Sequence, residues 1–196
     1  MKPAHSLKGQ HREVGKVAIT RHNVGRIAER IVANELEARG FRVSDLNKEG
    51  IAPNADLVAI LDGHPLQIQV KGATNDTQES WVTYGYCTEQ IIDRKAPMFN
   101  RKEHGFYEAD FVVLVAVRSP AIYRCFVLPT DQAEKAAQWH LDGGYRAKKW
   151  KPGKTHLTLE PGPRAKRNAK VKEGRQLVKR YEGDKGWEQL AKAVVR

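Results

Sequence analysis

A hairpin pattern in the first third of the chain constrains the fold more than any other feature of the sequence. Residues 55–61 form an apolar run, Asp62-Gly63 follows, and residues 66–71 then alternate between apolar and polar side chains. An Asp-Gly pair between two such runs favours a two-residue turn, because both turn positions need positive φ angles. The alternation places Gln69 and Lys71 on one face of the second strand, opposite its apolar residues. The sequence therefore predicts an antiparallel hairpin with a polar face.

The elements before the hairpin are predicted from helical periodicity. Apolar residues recur three and four positions apart over residues 24–39, which predicts an amphipathic helix with one apolar stripe. Gly40 favours the end of that helix, because glycine adopts the left-handed conformation common just after a helix. A short strand is predicted directly afterwards, over residues 41–46.

The elements after the hairpin complete the predicted domain. Residues 111–117 are almost continuously apolar, which is typical of a strand buried on both faces. Further strands are predicted over residues 81–86 and 123–128, and a helix over residues 131–139. Strands mixed with helices in this order predict an α/β fold, in which helices flank a mixed β-sheet.

Positive charge is concentrated at the C-terminal end. The net charge of the 196-residue chain is +11; residues 1–141 carry 18 basic and 17 acidic side chains, whereas residues 142–196 carry 16 basic and 6 acidic ones. Such asymmetry is typical of proteins that bind a polyanion, above all nucleic acid. The side chains expected to contact nucleic acid are Arg146, Lys148, Lys149, Lys151, Arg164, Lys166, Arg167 and Lys170.

The same change in composition suggests how the chain is divided. We expect a basic arm over residues 1–20, a core over residues 21–141 and a basic extension over residues 142–196. Within the extension, a short strand is predicted over residues 157–159 and a helix over residues 184–195.

Several classes of protein are disfavoured by composition. The longest apolar run, residues 111–117, is far shorter than the roughly 20 residues that span a bilayer, so no membrane span is expected. Binding to a membrane surface is disfavoured because no basic stretch is paired with a strong apolar face. The first residues lack the apolar segment of a secretory signal. With Cys87 and Cys125 as its two cysteines, the chain has no disulfide framework. We therefore expect a cytoplasmic protein.

Polar side chains on the hairpin suggest a site. Asp56 begins the first hairpin strand, and Gln69 and Lys71 share a face of the second, so pairing brings a carboxylate, an amide and an amine together. Glu29, on the first helix, can reach the same pocket from above the sheet. Oxygen ligands of this kind suit Mg²⁺ or Mn²⁺.

These residues also carry a family resemblance. The segment Pro53-Asn-Ala-Asp56, followed after twelve residues by Gln69-Val70-Lys71, resembles the signature of the PD-(D/E)XK nuclease superfamily in its QxK form. The helix carrying Glu29, with Gly40-Phe41 after it, is similar to the first helix of archaeal Holliday junction resolvases and of small PD-(D/E)XK endonucleases. The resemblance covers about residues 25–128. Gln69 is neutral where the family usually has an acid, and Pro53 stands three residues before the aspartate.

The resemblance implies a restriction-endonuclease-like fold and metal-dependent hydrolysis of DNA, either duplex or branched. It implies that Asp56 is the principal ligand of Mg²⁺ or Mn²⁺, with Gln69 and the carbonyl of Val70 as further ligands. It also implies that Lys71 is the catalytic lysine and that Glu29 holds the metal or a water bound to it. Because cutting two strands requires two sites, we expect a homodimer.

Several alternatives stay open at this point. Gln69 and Lys71 can be the solvent face of an edge strand, and Asp56 can be a turn residue. Glu35 falls in the middle of the apolar stripe of the first helix, so it either faces the site in place of Glu29 or pairs with a base such as Arg39. A binding module without catalysis, on DNA or RNA, and a protein that binds an acidic protein partner are the alternative functions.

Overall fold

The computed structural model describes residues 23–46, 55–74, 80–83, 109–146, 155–158 and 169–195. The helices in these ranges are α1 (Val24–Glu37), α2 (Thr130–Arg146), α3 (Ala169–Lys179) and α4 (Asp184–Val194). The strands are β1 (Arg42–Asp45), β2 (Leu57–Leu61), β3 (His64–Thr74), β4 (Ser80–Thr83), β5 (Phe111–Ser119), β6 (Ile122–Pro129) and β7 (Thr155–Thr158).

Five of these strands form a mixed sheet in the order β1-β2-β3-β5-β6. Neighbouring strands run antiparallel except β3 and β5, which are parallel. Strands β4 and β7 pair with each other as a separate two-stranded sheet. A mixed sheet flanked by helices is the α/β architecture that the sequence predicts.

The predicted hairpin is confirmed in its turn and its register. Asp62 and Gly63 both have positive φ angles, 51° and 82°, as a type I′ turn requires. Leu61 pairs with His64 across the turn, and the ladder continues to Leu57 opposite Ile68. Local turn chemistry therefore fixes which residues of β2 and β3 lie side by side.

The predicted end of α1 is also confirmed. Gly40 has a φ angle of 87°, and its N–H donates to the carbonyl of Glu37, while the N–H of Phe41 donates to that of Leu36. This pair of hydrogen bonds is a Schellman motif with glycine in the left-handed position. The reversal turns the chain directly into β1, which lies at one edge of the sheet.

The sheet separates two apolar cores. The core on one face combines α1 and α4 with alternate residues of β3 and β5, and the core on the other face combines α2 and α3 with alternate residues of β5 and β6. Strand β5 contributes to both: Phe111 and Val113 belong to the first core, and Val112 and Leu114 to the second. This two-sided burial explains its nearly continuous apolar sequence and confirms it as a central strand.

The C-terminal part of the chain differs from the predicted extension. Helix α2 continues past the proposed boundary at residue 141 and ends at Arg146. Leu177 of α3 and Trp187 of α4 are buried in the two cores. Residues 169–194 are therefore part of the folded core, and α3 is a helix that our sequence prediction lacks. The predicted arm over residues 1–20 lies outside the described residues.

Two smaller predictions have partial outcomes. The strand predicted over residues 81–86 is present as β4, and its last three positions lie outside the described residues. The short strand predicted over residues 157–159 is present as β7, and residue 159 lies outside the described residues. None of the described helices combines the length and apolar character that crossing a bilayer requires.

Candidate active site

The candidate site begins where β2 separates from β3. The N–H of Asp56 donates to the carbonyl of Ile68 at 2.9 Å, just beyond the last pair of the ladder. Strand β3 then continues to Thr74, still paired with β5 on its other side. Along residues 69–74, no strand of the described chain pairs with the edge that β2 has left.

The carboxylate of Asp56 forms hydrogen bonds to β3 at this edge, where no described strand pairs with it. Its Oδ2 accepts a hydrogen bond from the backbone N–H of Val70 at 2.7 Å and a second one from Nε2 of Gln69. By accepting the N–H of Val70, the carboxylate satisfies a backbone donor that has no strand partner in the described sheet. The side chain of Asp56 is therefore hydrogen-bonded to the edge of β3.

Gln69 is buried, contrary to the alternative in which it lies on a solvent-exposed face. Its exposed fraction is 4%, and it is the buried polar side chain among the residues the structure describes. Its neighbour across the ladder is Val112 of β5, which is fully buried. A buried amide is costly unless it is hydrogen-bonded, and the bond to Asp56 meets that requirement.

Lys71 is half-buried on the same strand, beside Leu114 of the second core. Burial lowers the pKa of Lys71, because the charged amine loses hydration, while the carboxylates of Asp56 and Glu29 act in the opposite direction. Both carboxylates are therefore close enough to interact electrostatically with this amine. The structure joins Asp56 to Gln69 by a hydrogen bond and places Lys71 two residues further along β3. Glu29 of α1 lies within electrostatic range of Lys71.

The approach of α1 to β3 depends on Gly72. A Cβ added at Gly72 would lie 2.7 Å from the carbonyl oxygen of Val24 and 2.8 Å from Cβ of Ala28. Only a residue without a side chain lets the helix pack this closely, and Ala28 immediately precedes Glu29. Sequence analysis missed this role, although a glycine inside a strand indicates a close backbone approach.

Glu35 is engaged elsewhere. Its carboxylate is paired with the guanidinium of Arg39, which lies just after the end of α1, and accepts a 2.6 Å hydrogen bond from the hydroxyl of Tyr123. Arg39 also bonds Asp184 at 3.1 Å and lies 4.8 Å from the ring centre of Trp187. We call these five residues the Glu35 cluster; of the two acids left open by the sequence, Glu29 is the one near Lys71.

The donors at the site fit a hard divalent cation. No three histidine, cysteine or acidic side chains come together in a metal-binding group within the described ranges. The site offers two carboxylates, the amide of Gln69 and the carbonyl of Val70, which are all oxygen ligands. Mg²⁺ is commonly bound through one or two carboxylates together with substrate phosphates, so this set suits it.

The structure describes two of the eight residues predicted to contact nucleic acid. Arg146 is the last residue of α2, and Lys170 lies in the first turn of α3. The remaining six basic residues lie outside the described residues. Their contact with nucleic acid stays a prediction.

Comparison with known proteins finds a structural similarity at low sequence identity and no sequence match. No family model matches the chain, and no curated protein sequence matches it. Among solved structures, that of I-Ssp6803I, a bacterial homing endonuclease, is similar with a TM-score of 0.47 and 14% sequence identity, covering 91% of this chain and 96% of that chain. The roles of individual residues therefore have to come from the geometry of this chain.

Proposed function

We propose that the protein is a metal-dependent endonuclease that hydrolyses phosphodiester bonds in DNA. The observation that carries the proposal is the convergence of Glu29, Asp56, Gln69 and Lys71 at an edge of β3 that no described strand covers. Two carboxylates, a buried amide and a lysine of lowered pKa are a combination suited to hydrolysis of a phosphodiester.

In this proposal, the metal-binding groups are held in place by hydrogen bonds within the fold. Two N–H donors hold the Asp56 carboxylate in one orientation. Asp56, Gln69, the carbonyl of Val70 and Glu29 are the groups that would hold Mg²⁺ or Mn²⁺. A bound ion of this type polarises the phosphate and stabilises negative charge as it develops.

Lys71 has two uses that its surroundings favour. Burial lowers the pKa of Lys71, so its amine loses a proton more readily than that of a surface lysine. In the unprotonated form, the amine can accept a proton from the attacking water. In the protonated form, favoured by Asp56 and Glu29, it can donate hydrogen bonds to a phosphate oxygen.

The basic C-terminal residues are proposed to hold the DNA backbone. Contacts between lysine or arginine and phosphates give an affinity that falls steeply as salt is added, without reading the sequence. Duplex and branched DNA are both candidate substrates. A homodimer would supply a site for each strand, and sedimentation equilibrium that finds only monomer at micromolar concentration would contradict it.

The test is cleavage of supercoiled plasmid and of a four-way junction in Mg²⁺, Mn²⁺ or EDTA. We expect metal-dependent nicking by the wild type and a loss of at least about 1,000-fold, or about 4 kcal/mol of barrier, in Asp56→Asn and in Lys71→Ala. The matched controls are Asp62→Asn, in the exposed turn, and Lys192→Ala, on the exposed face of α4. Both controls should cleave like the wild type.

A binding module without catalysis is the second candidate. The hydrogen bond from Gln69 to Asp56 favours it, because the neutral amide satisfies the carboxylate without a cation. The same assay separates the two functions. Salt-sensitive DNA binding by the wild type and both site variants, with no cleavage in any metal, would contradict the nuclease and leave the binding module.

A further inference from the structure

Helix α1 carries its exposed charges in an order that does not favour its own stability. Arg26 lies in the first turn and Arg30 one turn later, whereas Glu37 is the last residue of the helix. The first turn has no acidic side chain, and the last turn has no basic one. The helix dipole favours acidic residues at the N-terminal end and basic residues at the C-terminal end, so both ends of α1 carry the less favourable charge.

The two arginines also repel one another. Arg26 and Arg30 are four residues apart, so they share one side of the helix, and like charges at this spacing destabilise a helix. Both side chains are exposed. In the described part of the chain, neither guanidinium forms an ion pair with a carboxylate. Interactions within the described fold therefore do not account for this pair.

The helical positions of the two arginines place them beside the candidate active site. The N-terminal half of α1 packs closely against Gly72, which follows Lys71 on β3. At about 100° per residue, Arg26 lies about 60° around the helix from Glu29, and Arg30 lies about 40° further in the same direction. Since Glu29 interacts with Lys71, these positions lead from the site to the solvent-facing side of α1.

We propose that the N-terminal half of α1 is a contact surface for the DNA backbone, on which Arg26 and Arg30 bind phosphates that neighbour the one held at the edge of β3. This inference rests on the proposed function, since it takes the position of the DNA from that edge. A guanidinium binds a phosphate through paired, charge-assisted hydrogen bonds. The phosphates would also neutralise the two like charges, which the described fold leaves beside each other.

The first test measures how salt affects DNA binding. Fluorescence anisotropy of a labelled duplex is followed from about 50 to about 200 mM salt, in EDTA so that the duplex stays intact. Each phosphate contact contributes about −0.9 to the slope of log affinity against log salt concentration. In the double variant Arg26→Gln/Arg30→Gln, the slope should be shallower by about 1.8, so the ratio of wild-type to variant affinity should fall about ten-fold over this range.

Two double variants serve as controls. Lys185→Gln/Lys192→Gln removes the same charge from exposed positions of α4, and its salt slope should equal that of the wild type. Arg26→Lys/Arg30→Lys keeps the charge on α1 and should retain the wild-type slope as well. Equal slopes in the glutamine variants of α1 and α4 would overturn the proposal.

Thermal unfolding distinguishes DNA binding from a structural role of the arginines. Because mutual repulsion and the helix dipole both oppose them, the glutamine variant of α1 should have a Tm no lower than that of the wild type. A lower Tm together with an unchanged salt slope would show a structural role and overturn the proposal.

The results also separate this inference from the proposed function. A wild-type slope in the glutamine variant of α1, together with metal-dependent plasmid cleavage, would overturn the α1 surface and leave the nuclease intact. A shallower slope in that variant, with no cleavage in any metal, would remove the nuclease and retain the surface as part of a DNA-binding module. Absence of salt-sensitive DNA binding by the wild type would overturn both.

Discussion

Helix α1 presents two acidic side chains, and their surroundings differ. Glu35 belongs to a cluster in which each carboxylate contacts a guanidinium or a phenol, so that Arg39 connects α1 to α4 through Asp184 and Trp187. Glu29 lies less than two turns away and shares the amine of Lys71 with Asp56. Polar groups that pair with one another within the fold have a structural role. Our proposal of chemistry rests instead on two carboxylates beside a partly desolvated amine, at an edge of β3 that no described strand covers.

The largest effect on stability is expected in the Glu35 cluster. Trp187 is 5% exposed and packs in the core shared by α1 and α4. Truncation in Trp187→Ala should lower the free energy of unfolding by about 3–5 kcal/mol, measured by urea denaturation. Activity per folded molecule should be retained, because the residue does not touch the site.

The control for this prediction is the residue that directly follows α4. Val195 is 85% exposed, so Val195→Ala should change the free energy of unfolding by less than about 0.5 kcal/mol. If Trp187→Ala cost no more than Val195→Ala, the cluster would not hold α4 against the sheet.

A smaller effect is expected where α1 meets β3. Gly72→Ala should lower the free energy of unfolding by about 1–3 kcal/mol, because the added carbon meets the backbone of α1. Cleavage should fall too, since α1 carries Glu29. Gly25→Ala makes the same change where no atom lies within 4 Å, and should stabilise the helix by about 0.5–1 kcal/mol. Equal effects of the two substitutions would contradict the close approach.

The smallest expected effect is a shift in the pH at which the Tyr123 hydroxyl ionises, which is measured by absorbance. The hydrogen bond to Glu35, together with partial burial, raises the pKa of Tyr123 to about 12. In the unfolded chain, the phenol ionises near its ordinary value of 10.0, so its contribution to stability is complete below that pH and is lost as pH rises towards 12. The phenolate absorbance of the wild type minus that of Tyr123→Phe should therefore titrate near pH 12. A difference titrating near pH 10 would show that the bond to Glu35 does not form in solution.

Local patterns made much of the site predictable. The Asp-Gly turn fixes the pairing of β2 with β3, and that pairing places Asp56 beside Gln69 and Val70. The conformation of this short turn therefore determines how Asp56, Gln69 and Val70 are placed relative to one another. The central position of β5 follows as directly, because both of its faces are apolar.

Long-range contacts were not predictable in the same way. On the helical wheel, Glu35 lies in the middle of the apolar stripe. Nothing local indicates that Tyr123 of β6 contacts Glu35, or that Asp184 of α4 contacts its partner Arg39. Helix α3 was missed because its sequence is mostly polar and basic; the buried apolar side chains among its described residues are Leu177 and Val178. A helix with so narrow an apolar face depends on tertiary packing for its stability.

The most direct test of this division compares Glu29→Gln with Glu35→Gln in one experiment. Both are the same isosteric change on the same helix, and each variant is assayed for metal-dependent plasmid cleavage and for unfolding in urea. We predict that Glu29→Gln lowers cleavage by about 100-fold, equivalent to about 2.7 kcal/mol of barrier, with little change in stability. Glu35→Gln should cost up to about 1 kcal/mol of stability and keep its cleavage rate. Loss of cleavage in Glu35→Gln with full activity in Glu29→Gln would contradict the assignment of the site.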